Sequence, residues 1–201
     1  MVNGVVYVGS YDNNVYALNA GTGAMLWQFT TGGPVDSSPA VSNGLVYVGS
    51  FDANVYALNA STGAKVWQFT TGNSIDTSPA VANGVVYVSS GDNNVYALNA
   101  STGAKLWQTA VFLGTDAAVA NGVVYVGSGD YNVYALNAST GAELWQFTTG
   151  SFVESSPVVA NGVVYVGSDD NNIYAFKMTN PAEAPARPDP ATLRPNLGLG
   201  K

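Results

Sequence analysis

The residues Asn43-Gly44-Leu45-Val46-Tyr47-Val48-Gly49-Ser50 carry the strongest structural signal in this chain, because close copies of them recur along its length. The copies are separated by 40, 40, 38 and 40 residues, and they begin at Asn3, Asn43, Asn83, Asn121 and Asn161. An internal repeat of about 40 residues is typical of propellers and solenoids. The chain is therefore expected to consist of one small structural unit used several times.

Each repeat contains four short segments with the composition of β-strands. In residues 43–82 the predicted strands are Leu45–Ser50, Val55–Asn59, Lys65–Thr70 and Ser78–Ala82. β-Branched and aromatic residues dominate these segments, and Gly, Asn, Asp and Ser fill the connections. The consecutive apolar residues of the first strand indicate that both of its faces are covered. Repeated four-stranded antiparallel sheets covered on both faces predict an all-β fold, a β-propeller.

A second motif in each repeat runs from Ala57-Leu58-Asn59-Ala60-Ser61-Thr62-Gly63 to Trp67. It resembles the tryptophan-docking motif, Ala-x-Asp-x-x-Thr-Gly-x-x-x-Trp, of the pyrroloquinoline-quinone (PQQ)-like propeller repeat family, except that Asn59 stands at the usual Asp. The resemblance covers residues 3 to about 178. It implies that each Trp packs between adjacent blades and that each Thr-Gly turn supports it. The implied docking residues are Trp27, Trp67, Trp107 and Trp145, with Gly23, Gly63, Gly103 and Gly141.

The repeats predict about five blade units in residues 1–178, with eighteen strands in all. The first unit lacks its inner strand, and the last lacks its outer, Trp-bearing strand. Because the resemblance implies rings of seven or eight blades, three arrangements stay open: one imperfect ring, a homo-oligomer whose chains complete a ring, or a fragment of a longer propeller. Residues 179–201 hold five of the nine prolines, and this Pro/Ala-rich segment is predicted to be a disordered tail or linker.

Composition excludes several classes of function. The net charge of −7 repels phosphate backbones and anionic lipids, so no nucleic-acid partner is expected. No apolar run approaches the ~18 residues of a membrane span, and the first residues show no signal peptide. The absence of His and Cys removes the commonest general base and the thiolate metal ligands. The compartment is left open, although the resemblance suggests an extracytoplasmic one, the bacterial periplasm or cell surface.

Nine of the thirteen acidic residues fall in two sets of loops that leave an antiparallel blade on the same face. The resemblance implies that the Ser-Ser-Pro-Ala-Val element is the inner, first strand of a blade, so that Leu45–Ser50 is a second strand. On this numbering, the loops between second and third strands contribute Asp12, Asp52, Asp92, Asp130 and Asp170. The loops that lead to the next blade, nearer the mouth of the central channel, contribute Asp36, Asp76, Asp116 and Glu154. Turn chemistry explains the first set, and capping of the inner strand could explain the second. Together the nine acids predict one strongly negative surface, with the second set near the channel mouth, that attracts cations or a basic partner.

Exposed aromatic residues on this predicted acidic face are candidates for binding a peptide or a sugar. Tyr11, Phe51 and Tyr131 occupy loop positions that differ between the copies, and Phe152 lies in a connecting loop. Stacking or peptide binding would use such rings, although drift in tolerant loops produces the same variation. No metal site is expected, because calcium requires six to eight converging oxygens and Asp-x-Asn supplies too few.

Three functional hypotheses follow from these observations. The resemblance implies, in the catalytic branch of the family, a dehydrogenase with PQQ stacked on a Trp and Ca²⁺ held by Glu, Asn and Asp. All four Trp of this chain belong to the repeat and no copy breaks the symmetry, so we expect no enzyme activity and no cofactor. The leading hypothesis is a non-catalytic binding or assembly scaffold for a protein, peptide or glycan over the acidic face. The alternatives are a recently amplified or engineered repeat protein with no ligand, and a fragment of a PQQ/Ca²⁺-dependent dehydrogenase.

Overall fold

The structure is a computed structural model that describes residues 1–178, in which the regular elements are all strands. Eighteen strands form five antiparallel sheets of three, four, four, four and three strands, named blades 1 to 5 in chain order. The predicted β-propeller blades, including the incomplete first and last ones, are confirmed. The predicted tail, residues 179–201, lies outside the described residues. Among residues 1–178 there is no helix that could cross a membrane.

The strands follow the chain in the order of the repeat. Blade 1 contains β1 (Val5–Gly9), β2 (Asn14–Asn19) and β3 (Met25–Thr30). Blade 2 contains β4 (Ala40–Ser42), β5 (Leu45–Gly49), β6 (Asn54–Asn59) and β7 (Lys65–Thr70). Blade 3 contains β8 (Ala80–Ala82), β9 (Val85–Ser90), β10 (Asn94–Asn99) and β11 (Lys105–Ala110). Blade 4 contains β12 (Ala118–Ala120), β13 (Val123–Gly127), β14 (Asn132–Asn137) and β15 (Glu143–Thr148). Blade 5 contains β16 (Val158–Ala160), β17 (Val163–Ser168) and β18 (Asn172–Lys177).

The inner strands are shorter than the sequence pattern predicts. We expected the inner strand of blade 3 to begin at Ser78, but β8 begins at Ala80. Pro79 has no N–H to donate to a strand ladder. The N–H of Ser78 donates instead to Oδ1 of Asp116 in the next blade, at 2.7 Å.

The hydrophobic core lies between the blades, where four apolar clusters fill the spaces between neighbours. At the junction of blades 2 and 3, Trp67 is only 8% exposed, and its ring centroid lies 5.9 Å from that of Tyr47. Trp67 Nε1 donates to the backbone oxygen of Ala100 at 2.9 Å, and the Tyr47 hydroxyl donates to the same oxygen at 3.1 Å. Blade 1 is joined to blade 2, and blade 3 to blade 4, by the same pair of bonds.

The Thr-Gly turn of the following blade supports Trp27, Trp67 and Trp107, because glycine alone fits against their rings. Gly63 has a φ of +72°, and a Cβ at this position would lie 2.7 Å from the Trp27 ring. Gly103 and Gly141 meet Trp67 and Trp107 in the same way. Gly23 of blade 1 has the same φ but nothing within 4 Å, because residues 1–178 hold no preceding blade to pack on it.

The two end blades are more exposed than the middle ones. Val48 of blade 2 is fully buried, whereas the equivalent Val8 of blade 1 is 41% exposed. Tyr47 is 1% exposed, whereas the equivalent Tyr165 of blade 5 is 39% exposed. The five blades therefore cover one another in sequence, and within residues 1–178 the outward faces of blades 1 and 5 stay open.

Candidate ligand-binding site at the acidic mouth

The acids between the second and third strands of each blade are held in turns. Asp52 Oδ1 accepts a hydrogen bond from Asn54 N at 3.0 Å, and Asp52 Oδ2 accepts from the Tyr56 hydroxyl at 2.6 Å. Asp52 Oδ2 also accepts from Gly32 N, in the loop that arrives from blade 1, at 2.7 Å. We call Asp12, Asp52, Asp92, Asp130 and Asp170 the turn acids, since all five accept the bonds from Asn and Tyr. They hold the hairpins, and three of them also hold the preceding loop.

These hydrogen bonds determine how the turn acids ionise. Burial alone would raise the pKa of Asp52, but the bonds from Tyr56 and Gly32 outweigh it and lower that pKa below its usual value. Burial, together with the bond to Asp52, raises the pKa of Tyr56 to about 12. The same two causes raise the pKa of Tyr96 to about 12. The turn acids are therefore charged acceptors at neutral pH and act as structural groups.

The second set of acids lines one cavity. Asp36, Asp76, Asp116 and Glu154 surround a volume of about 510 Å³, together with Phe152 and the backbone of the loops between blades. We call these four residues the mouth acids. Four separate connecting loops contribute one carboxylate each, as the sequence predicts for the acidic face. No group of three or more His, Cys, Asp or Glu in residues 1–178 is placed to hold a metal ion.

One mouth acid reaches the cavity from a different register. The segment between β11 and β12 is two residues shorter than its equivalents. Thr115 Oγ1 accepts a hydrogen bond from Gly127 N at 3.0 Å, as Ser37 Oγ does from Gly49 N at 2.8 Å. Thr115 is thus the counterpart of Ser37, so Asp116 corresponds to Ser38 and lies two positions later in its loop than Asp36 does. Asp76 and Asp116 each lie nine residues after their Trp, so a count from the Trp aligns them with each other. A count backwards from the start of the inner strand aligns Asp116 with Ser78 instead.

The shifted register gives Asp116 a hydrogen bond to the neighbouring blade. Its carboxylate accepts from Ser78 N at 2.7 Å, whereas one blade earlier the hydroxyl of Ser78 accepts from Ser38 N at 3.0 Å. Asp116 therefore caps an inner strand in addition to lining the cavity. Among the mouth acids it is the one for which the structural explanation is strongest.

Two substitutions in blade 3, Ser89 and Gly114, accommodate the shorter loop that follows β11. Gly49 of blade 2 lies against Ile75, where a Cβ would come within 2.3 Å of that side chain. Blade 3 has Ser89 at the equivalent strand position and Gly114 in the facing loop. Ser89 Oγ donates to the backbone oxygen of Thr115 at 2.7 Å. Sequence analysis missed this exchange, although Ser89 was a visible signal, because the other four equivalent positions all hold Gly.

Two aromatic pairs lie on the rim of the acidic face. Tyr11, 66% exposed, packs edge-on against Phe51 with centroids 6.2 Å apart. Tyr131 and Phe152 pack in the same manner at 5.0 Å. The structure therefore brings the predicted aromatic residues together as pairs across blade junctions.

Tyr11 also contacts one of the mouth acids. Its hydroxyl donates to Asp36 Oδ2 at 2.9 Å. This bond, with the negative charges of Asp36 and Asp76, raises the pKa of the Tyr11 hydroxyl. Sequence analysis did not anticipate the contact, because the two residues lie in different loops.

One rim residue has an unfavourable backbone. The residue after each turn acid adopts a left-handed φ of 66–76°, and three of the five copies have Asn there: Asn13, Asn93 and Asn171. Ala53 (φ 68°) and Tyr131 (φ 76°) occupy the other two positions. Left-handed backbone costs a non-Asn, non-Gly residue roughly 1 kcal/mol. Tyr131 thus keeps an exposed ring at the rim despite local strain, a feature that clusters at functional sites.

Comparison with known proteins identifies the family. A family model described as outer membrane protein assembly factor BamB matches residues 11–111 and 95–182. The chain belongs to this PQQ-like propeller family. The resemblance found in the docking motif is therefore confirmed.

Solved structures show the same fold. BamB from Moraxella catarrhalis matches with a TM-score of 0.80 at 20% identity, over 89% of this chain and 60% of that one. The computationally designed Ika8 protein matches with a TM-score of 0.77 at 20% identity, over 89% and 57%. A quinohemoprotein alcohol dehydrogenase from Pseudomonas putida HK5 matches with a TM-score of 0.73 at 20% identity, over 88% and 39%. The chain spans 60% or less of the length of these proteins.

Proposed function

We propose that this chain is a non-catalytic scaffold whose acidic mouth binds a basic segment of a protein or peptide. The observation that carries the proposal is that four loops each place one acidic side chain on the same cavity. The turn acids on the same face accept hydrogen bonds from backbone amides and Tyr hydroxyls within their own hairpins, whereas Asp76 and Glu154 line the cavity and Asp36 lines it while accepting one bond from Tyr11.

The charge and size of the cavity favour a cationic side chain. Several carboxylates around a recess create a negative potential that attracts Lys or Arg and steers a basic partner toward it. A volume of about 510 Å³ lies within the range of ligand pockets, and it accommodates one or two extended side chains.

The rim supplies contacts that charge alone does not. Exposed rings at Tyr11, Phe51, Tyr131 and Phe152 offer flat surfaces beside the carboxylates. An Arg guanidinium stacks on such rings while it pairs with a carboxylate. A glycan would use the rings in the same way but would leave the charge unused, so a basic peptide fits the whole site better.

The described residues do not fit a quinone cofactor. Trp27, Trp67 and Trp107 each donate Nε1 to a carbonyl of the next blade, and Trp145 is 7% exposed and packs against Phe176. None of these indoles faces the mouth. We therefore propose function without PQQ or Ca²⁺, although a dehydrogenase is among the similar structures.

The family match supports an assembly role in the bacterial envelope. BamB is described as an outer membrane protein assembly factor. We propose an extracytoplasmic location and a protein partner for this chain on that basis.

A peptide array tests the proposal, with Glu154→Gln and Glu143→Gln as matched variants. Both remove one negative charge, but Glu154 lines the mouth and Glu143 begins β15 on the opposite face. We expect the parent chain to select Lys- and Arg-rich peptides, Glu154→Gln to weaken them about fivefold, and Glu143→Gln to leave them within about twofold. Equal effects of the two variants, or no preference for basic peptides, would contradict the proposal. Reduction of a dye on addition of PQQ and Ca²⁺ would favour the dehydrogenase instead.

A further inference from the structure

The side chain of Leu113 lines the mouth cavity, although its counterpart one blade earlier belongs to the core. The backbone oxygens of Phe112 and Ser74 each accept a hydrogen bond from the residue before the turn acid of the next blade. Leu113 therefore follows Phe112 as Ile75 follows Ser74. Ile75 is fully buried, whereas Leu113 is 55% exposed.

The shorter loop explains why this leucine lies outside the core. Ile75 fills the space beside Gly49, where a Cβ would come within 2.3 Å of its side chain. In blade 3 the equivalent strand residue is Ser89, and a Cβ at Gly114 would lie 2.9 Å from its Oγ. Ser89 and Gly114 together thus occupy the space that Ile75 fills one blade earlier. Leu113 has no place there and is presented to the mouth.

The backbone holds Leu113 in this exposed position. Its φ is +46°, a left-handed value that is rare for a branched side chain. Its N–H donates to Oδ1 of Asn93 at 3.1 Å. An Asn at this position would tolerate the same backbone at a lower cost.

Two glycines leave room beside Leu113. The position before the turn acid holds Tyr11 and Phe51 in blades 1 and 2, but Gly91 and Gly129 in blades 3 and 4. Both glycines line the mouth cavity, and neither has a left-handed φ that would require glycine. A Cβ at Gly129 would lie 3.2 Å from Leu113 Cβ. The missing side chains therefore open a space next to this leucine.

The cavity thus has an apolar part as well as a charged part. Leu113 and Phe152 expose apolar side chains to the same volume that Asp76 and Glu154 line with carboxylates. A side chain that fills both parts needs an aliphatic stem and a cationic end. Arginine has three methylenes and a guanidinium, and it covers apolar surface with the stem while the charged end pairs with carboxylates.

We propose that Leu113 selects the length of the cationic side chain that the mouth accepts. The methylenes of a ligand arginine pack on Leu113, over Gly91 and Gly129, and its guanidinium pairs with the mouth acids. This inference rests on the proposed function, since it assigns one part of the same cavity. Leu113 is therefore a specificity-determining residue, because a shorter cation would leave its side chain uncovered.

Arginine homologues in one array-selected peptide test the proposal. Replacement of the central Arg by its homologue with two fewer methylenes shortens the stem but keeps a guanidinium that is always charged. We expect this change to weaken binding to the parent chain about tenfold. In Leu113→Asn, which keeps the left-handed backbone and removes the apolar side chain, the same change should weaken binding less than about threefold.

Leu106→Asn is the matched control. Leu106 is 51% exposed, but it lies in β11 at the outer edge of blade 3, away from the residues that line the mouth cavity. This variant should keep the parent's response of about tenfold. Equal responses to stem length in the parent chain and in Leu113→Asn would overturn the inference, and the proposed function would stand if Glu154→Gln still weakened the Arg peptide. Failure of every Arg peptide to bind the parent chain would refute the proposed function, and the inference with it.

Gly91→Phe gives a second readout that leaves Leu113 in place. Blade 2 carries Phe51 at the equivalent position, and a Cβ at Gly91 would lie 3.3 Å from its nearest neighbour, the backbone oxygen of Ser74. The ring takes the space assigned to the arginine stem. We expect the Arg peptide to bind at least about tenfold more weakly to this variant, and the shortened homologue less than about threefold more weakly. Unchanged binding of the Arg peptide to folded Gly91→Phe would also overturn the inference.

Discussion

Asp92 and Asp76 lie on the same face of the propeller and carry the same charge, yet the molecule uses them differently. Asp92 accepts hydrogen bonds from Asn94 N, the Tyr96 hydroxyl and Gly72 N. Asp76 lines the mouth cavity. The turn position is Asp in all five copies, while the mouth position changes to Glu154 and shifts register at Asp116. In a repeat protein, strict repetition therefore marks the groups that build the blade, and deviation marks where a ligand site can develop.

Removal of each carboxylate should produce the largest contrast. Asp92→Ala leaves Asn94 N, Gly72 N and the Tyr96 hydroxyl without their acceptor, so we expect the free energy of unfolding to fall by about 2 kcal/mol. Asp76→Ala should change it by less than about 0.5 kcal/mol. Urea denaturation followed by Trp fluorescence measures both. Similar losses in the two variants would remove the distinction between turn acids and mouth acids.

The pH dependence of stability should belong to the turn acids. Their pKa values are lowered in the folded chain, so their contribution is complete above the ordinary carboxyl pKa and is lost as the pH falls through the lowered values. Asp92→Asn should therefore flatten the acid side of the stability profile relative to the parent chain. Denaturation midpoints between pH 2 and 7 check this prediction. An acid side as steep in Asp92→Asn as in the parent chain would contradict the prediction.

The tyrosines bonded to the turn acids should control the alkaline limit. Burial and the hydrogen bonds to the turn acids raise the pKa of Tyr56, Tyr96 and Tyr134 from the ordinary 10.0 to about 12. The stability that they contribute is thus complete below pH 10 and is lost as the pH rises through 12. Tyr96→Phe should weaken this alkaline loss relative to the parent chain. Tyrosinate absorbance would show ionisation near pH 10 if these hydroxyls were free.

Ala53 and Tyr131, the two non-Asn residues at the left-handed turn position, allow the effect of backbone strain to be measured apart from the effect on binding. Ala53→Asn should raise the free energy of unfolding by about 1 kcal/mol, because Asn tolerates this backbone. Tyr131→Asn should raise it less, since the contact with Phe152 is lost, and should also weaken binding of a basic peptide. Denaturation and peptide titration of both variants test this. If Tyr131→Asn bound as well as Ala53→Asn, the Tyr131 ring would have no place in the site.

The smallest expected effect on binding and stability comes from removing the Tyr11 hydroxyl, which donates a hydrogen bond to the mouth acid Asp36. Tyr11→Phe removes the hydrogen bond to Asp36 but leaves the ring against Phe51. We expect the unfolding free energy to change by less than about 0.5 kcal/mol. Peptide affinity should rise slightly, because Asp36 then has one fewer competing donor. A marked loss of affinity would instead assign the hydroxyl itself to the ligand contact.

Sequence alone predicted most of the fold because the repeat states it five times. The runs of consecutive apolar residues predicted strands buried on both faces, and the regular Trp spacing predicted the repeat units. The positions of Asn3 and Phe176 within the repeat predicted that the first and last blades have three strands each. The predicted inner strand of blade 3 began too early, at Ser78, where a hydrogen bond to a different blade replaces strand pairing. Such a contact depends on tertiary placement, which the local pattern does not contain.

The candidate site was predicted less completely. The loops that carry Asp36, Asp76 and Glu154 follow from strand alternation, since every second connection leaves on the same face. The position of Asp116 within its loop could not be predicted in this way. Counting residues from the Trp does not show where the two-residue deletion lies, and the hydrogen bond of Thr115 locates it. The Ser89 and Gly114 exchange compensates for that deletion through space. The Tyr11–Asp36 bond likewise joins separate loops, and no periodic pattern encodes it.

The most direct test of the account is the binding of one array-selected basic peptide to Asp76→Asn and to Asp92→Asn, each of which neutralises one acid on the same face. We predict that Asp76→Asn weakens binding about fivefold and leaves stability unchanged. Asp92→Asn should lower stability and leave binding within about twofold under conditions in which it is folded. If Asp92→Asn weakened binding as much as Asp76→Asn did, the acidic face would act through its overall charge, and the mouth would not be the site.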